Sequence, residues 1–88
     1  MVKYKRNPTV LFVQQDGEIA LYHPGTNKYF GLEELGGFVW DFIEIPRTFT
    51  DIFDEVEKSY EVVNAVLEQD LNNFMLDLVK ENVVELED

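Results

Sequence analysis

The sequence predicts an α+β domain in which a three-stranded antiparallel meander precedes three helices. Three observations lead there. Up to Leu32 apolar residues alternate between turn-forming pairs, and beyond Leu32 they recur at helical spacing. The third is size: 88 residues with 45% hydrophobic content suffice for one core but not two. Residues 1–88 are therefore expected to form one domain, with residues 1–7 as a flexible lead-in.

The first strand runs from Pro8 to Gln15, a β-branched and aromatic stretch that stops at Asp16-Gly17. That pair accepts the positive φ of a tight hairpin turn. The second strand, Glu18 to His23, alternates with Ile19 and Leu21 on one face until Pro24-Gly25-Thr26-Asn27 supplies a longer turn. The third, Lys28-Tyr29-Phe30-Gly31-Leu32, is short and aromatic, and as the last strand of a meander it lies at an edge.

Leu35, Val39, Phe42 and Ile43, with Phe38 beside them, then predict a first helix over 33–44. Gly36 and Gly37 each lower its propensity by about 1 kcal/mol, which places them against closely packed backbone. Ile45-Pro46-Arg47 ends it. Either Thr48 or Thr50 caps a second helix over about 50–59, whose apolar face is Ile52, Phe53 and Val56 and whose first turns carry Asp51, Asp54 and Glu55. In the third helix, about 63–81, Val63, Leu67, Leu71, Phe74 and Leu78 form one stripe flanked by Val66, Met75 and Val79. Asn82 takes the left-handed conformation that ends a helix, and Val83-Val84-Glu85-Leu86 returns to the core as a short extended segment. The order βββααα with a C-terminal extension is winged helix-turn-helix-like.

Seven basic residues stand against eighteen acidic ones, a net charge of −11. The excess is uneven: residues 1–32 carry Lys3, Lys5, Arg6 and Lys28 against Asp16 and Glu18, a net of +2, and the rest nets −13. Nucleic-acid binding draws its affinity from cations, and the second and third helices each net −3, so insertion into a DNA groove is excluded. With no cysteine there is no disulfide or thiolate site, and no apolar run approaches a membrane span or signal peptide. The expectation is a soluble cytoplasmic domain. One histidine, His23, reads as an exposed turn residue, and with a single serine, Ser59, no nucleophile–base pair is visible. No calcium loop, zinc set or phosphate loop is present, so neither catalysis nor a metal or cofactor is expected.

What remains is surface. The third strand presents unpaired backbone groups blunted only by Lys28, and an extended peptide can add there as a fourth strand. The third helix would wall the adjoining pocket, with Asp70 about 60° from the centre of its apolar stripe, placed to meet a cation or amide of that peptide. Of Tyr29 and Phe30, one is expected to pack inward while its neighbour faces the groove. Trp40 is expected in the core, and Phe74 in the core with an exposed edge.

These parts resemble a known family, the PqqD-like proteins of pyrroloquinoline quinone biosynthesis and the related precursor-peptide recognition elements. The carrying residues are Asn27-Lys28-Tyr29-Phe30-Gly31-Leu32, Gly36, Val39-Trp40 and Ile43, then Thr50-Asp51-Ile52-Phe53, Tyr60, Asp70-Leu71, Phe74 and Leu78. The resemblance covers residues 8–86. Glu33 stands where a capping Asn or Ser is usual, and Asn82 where a glycine often ends the last helix. The resemblance implies a non-catalytic peptide chaperone that binds the leader of a ribosomally made precursor peptide by strand addition. It further implies presentation to a modifying enzyme, a radical S-adenosylmethionine enzyme or a leader protease. The implied peptide-binding residues are Lys28, Tyr29, Phe30, Gly31 and Leu32, facing Val66, Leu67, Asp70, Asn73 and Phe74. The competing reading is a winged-helix regulatory or scaffolding module that meets a basic protein through its acidic helices.

Overall fold

The computed structural model describes residues 1–60 and 65–88, without the side chains of Ala65 and Val66. The elements are β1 (Lys3–Arg6), β2 (Leu11–Gln15), β3 (Glu18–His23), β4 (Lys28–Leu32), α1 (Glu34–Phe42), α2 (Phe49–Tyr60), α3 (Ala65–Lys80) and β5 (Val84–Glu87). The three expected strands are β2, β3 and β4, and the three expected helices follow them, so the α+β architecture holds. Val63, expected in the apolar stripe of the third helix, lies outside the described residues.

β2, β3 and β4 form one antiparallel sheet in that order. At the first turn φ is +50° at Asp16 and +81° at Gly17, the left-handed pair of a type I′ hairpin. It sets Gln15 opposite Glu18 and Val13 opposite Ala20. The second turn is organised by His23, which is only 8% exposed rather than solvent-facing as the sequence suggests. Its ring is drawn in because Nδ1 accepts the Thr26 backbone N–H at 3.2 Å. Asn27, at φ +59°, returns the chain to β4 with Ala20 opposite Gly31, Leu21 opposite Phe30 and Tyr22 opposite Tyr29. Strand alternation then sends Ile19, Leu21 and Leu32 into the core and leaves Leu11, Val13, Ala20, Tyr29 and Gly31 exposed on the outer face.

Residues 1–7, expected as a flexible lead-in, contain β1. It pairs antiparallel with β5 in a separate two-stranded sheet, Lys3 opposite Glu87 and Arg6 opposite Val84. Tyr4 is buried, and its backbone exchanges hydrogen bonds of 2.7 and 3.0 Å with Arg47. Lys5 lies 3.8 Å from Glu85 and 3.6 Å from Glu87. Arg6 stacks 4.9 Å from the ring centroids of both Phe12 and Trp40, and its Nε donates to the Trp40 carbonyl at 2.9 Å. Three cations in four residues look like a solvated tail until the fold supplies partners for two of them, Glu85 and Glu87 for Lys5 and Trp40, Asp41 and Glu44 for Arg6.

Local chemistry explains the helix ends. Thr48 is the cap that is used: its Oγ1 accepts the Asp51 N–H at 3.1 Å while the Asp51 carboxylate accepts the Thr48 N–H at 3.2 Å. α3 ends as expected at Asn82, φ +63°. There the Val83 N–H donates to Leu78 and the Asn82 N–H to Val79, a Schellman arrangement with Leu78 and Val83 both buried. Gly36 is hemmed by side chains rather than by the backbone expected: an added Cβ would lie 3.2 Å from Phe74 Cζ and 3.3 Å from Leu32 Cβ. The core joins Val39 and Trp40 of α1, Ile43 just past its end, Ile52 and Val56 of α2, and Leu71, Met75 and Leu78 of α3 to Ile19 and Leu21 of β3. On α3 the buried line thus turns toward Met75, and Leu67 and Phe74 are left half-buried on its flank.

Candidate functional site

β4 is an edge strand with no strand paired beyond it among the described residues. α3 runs beside it in the opposite sense, as two contacts show. At one end the Lys28 Nζ meets Glu81 Oε1 at 3.2 Å. At the other, Leu32 and the ring tip of Phe74 both close on the Cα of Gly36. Lys28 to Leu32 spans about 13 Å of strand, and Glu81 back to Phe74 about 10 Å of helix, so the helix line runs along most of the strand.

The helix wall follows from spacing. Leu67, Phe74 and Glu81 recur every seven residues and fall in one line along α3, and the Lys28–Glu81 pair identifies that line as the one turned toward β4. Asp70, exposed, sits beside this line. Asn73 is rotated about 100° from Phe74 and is exposed. The Val66 side chain lies outside the described residues.

On the strand wall the two aromatics divide as alternation requires. Phe30 is half-buried on the inner face and packs against the core, whereas Tyr29 is 77% exposed on the outer face, its ring 4.6 Å from that of Tyr22. Leu32 is buried and Gly31 exposed. Lys28 is already engaged by Glu81, so its charge is partly spent within the chain. Glu81 is the wall residue that sequence reasoning missed; its heptad relation to Leu67 and Phe74 was the available signal.

Trp40 is buried as expected, against Phe12 at 5.6 Å edge to face, and its indole N–H has no hydrogen-bond partner among the described residues. Among the described residues no helix is long and apolar enough to cross a membrane.

An α+β domain with a meander, three helices and an open strand edge lying beside the third helix is the class that this fold and site define. The model of the family described as coenzyme PQQ synthesis protein D (PqqD) matches residues 18–84, and the chain belongs to that family, as the sequence resemblance implies. A solved structure described as TbiB1 in complex with the TbiA(beta) leader peptide is similar, with a TM-score of 0.83 and 30% sequence identity. The alignment covers 92% of this chain and 94% of that one. No curated protein matches the sequence.

Proposed function

We propose that this chain is a non-catalytic recognition element that captures the leader segment of a ribosomally made precursor peptide and presents it to a modifying enzyme. The leader adds as a strand to β4 and lays alternate side chains against α3. The observation that carries this reading is the open β4 edge facing the Leu67–Phe74 line, bounded by Lys28–Glu81 at one end and Leu32–Gly36–Phe74 at the other. Main-chain hydrogen bonds to β4 would supply affinity, and Phe30, Leu67 and Phe74 would supply apolar contact. Membership of the PqqD family and the likeness to a protein solved with a leader peptide support the same occupant. The enzyme that receives the peptide is of the radical S-adenosylmethionine or leader-protease kind that the family resemblance implies.

The test is a nitrogen-15 titration with a peptide selected from a random twelve-residue phage-display library. Amide shifts concentrated in residues 28–32 and 67–74 are the expected result. Shifts confined to α1 and α2 would overturn strand addition and favour an acidic-helix scaffold instead.

A further inference from the structure

Among the described residues no layer is packed on the outer face of the β2–β3–β4 sheet, whose Leu11, Val13, Ala20, Tyr29 and Gly31 are exposed. Two of its central positions are small, Ala20 and Gly31, and they stand directly opposite each other. With Val13 beyond Ala20 they form a row across all three strands, and the missing side chains leave an open depression of about 640 Å³ that reaches the β4 edge. Its lining has two chemistries: Val13, Ala20 and Gly31 are uncharged, while Asp16, Glu18 and Glu33 stand at one end. No ion pair among the described residues reaches those three carboxylates; the nearest cation on β4, Lys28, is taken by Glu81.

The fold does not require Gly31 to be a glycine. It is not among the positive-φ positions, and a Cβ added there meets nothing within 4 Å. The position is open in the free chain, at the edge where a docked strand would lie.

We propose that this depression takes an arginine or lysine side chain of the peptide strand docked on β4, the methylene stem crossing Gly31 toward Ala20 and the cation turned toward Glu33 and Glu18. The proposal rests on the strand-addition reading and deepens it by naming a residue class the leader must carry. Strands lie about 4.8 Å apart, so the stem of an outward-facing residue opposite Gly31 crosses one strand spacing before its charge must be met. An apolar floor with anionic partners at one end fits a side chain that is apolar along its length and cationic at its tip. A second copy of this chain does not fit, since it would bring acids against acids on a molecule of net charge −11.

The test uses the full chain and peptides from the same twelve-residue library. Enriched sequences are expected to carry a lysine or arginine at a fixed offset from their apolar anchors. One such peptide and its cation→Gln analogue are then titrated against the native chain, Ala20→Leu, and Glu18→Gln combined with Glu33→Gln. The native chain should prefer the cationic peptide by about fivefold or more, and both variants should lose that preference while binding the Gln analogue nearly as the native chain does. Ala20→Leu acts by filling the depression and the double variant by removing charge, so agreement between them separates this site from general attraction to an acidic protein. Selected peptides that shift the amides of residues 28–32 without a fixed cation, or variants that weaken both peptides alike, overturn this inference and leave strand addition standing. A library that yields no binder shifting those amides overturns both.

Discussion

Lys28 and Glu81 join the first residue of β4 to the end of α3 by an ion pair of 3.2 Å, across 53 positions of sequence. The side chains are 57% and 39% exposed, so solvent screens the attraction and the pair contributes at most about 1 kcal/mol. Lys28→Ala is expected to lower stability by less than that in urea unfolding, with the difference shrinking further at high salt. A loss above about 2 kcal/mol would mean that the pair holds β4 and α3 together rather than marking where they meet.

Tyr4 gives a sharper result because it distinguishes a strand from a lead-in. It is buried, and its backbone is bonded to Arg47. Tyr4→Ala should therefore destabilise the chain by about 2–4 kcal/mol, seen as a lowered thermal midpoint. A freely moving segment over residues 1–7 would lose almost nothing.

At the end of α3, Asn82 holds φ +63°, a conformation that penalises residues with a Cβ unless they are Asn or Asp. Asn82→Gly is expected to match or exceed the native stability, whereas Asn82→Ala should fall about 1 kcal/mol below the glycine variant. Equal stabilities for the two would contradict the left-handed cap.

Gly31→Ala should raise stability by about 0.5–1 kcal/mol, because it restricts the unfolded chain and meets no neighbour in the folded one. Chemical denaturation of the two chains side by side checks this. A destabilised variant would show that the fold itself needs glycine there.

Much of this molecule was legible in its sequence, and the pattern of success is physical. The Asp16-Gly17 pair dictates its own turn, and that turn fixes the register of β2 on β3 and hence which side chains face the core. Lys28 to Leu32 was legible as an edge because a meander has to end somewhere. α3 was legible as a helix, but its burial turned toward Met75, since periodicity gives the apolar side of a helix only to within a residue's rotation. The same rotation leaves Asn73 exposed, while Glu81 meets Lys28 at 3.2 Å. The β1–β5 pairing was hidden because each half is short and charged, and the partners of Lys5, Glu85 and Glu87, lie at the far end of the sequence. The Ala20–Gly31 row required two turns to be combined before the small residues fell opposite each other.

The pairing of β1 with β5 brings the α-amino group of Met1 within 3.3 Å of the Asp88 carboxylate. Entry to and exit from the domain therefore occupy neighbouring points. A short linker would close the backbone into a ring, and fresh ends opened at the exposed Asp16-Gly17 turn would give a circular permutant with the same core. By the same geometry the whole unit would fit as a cassette within a surface loop of a larger protein without prising its host apart.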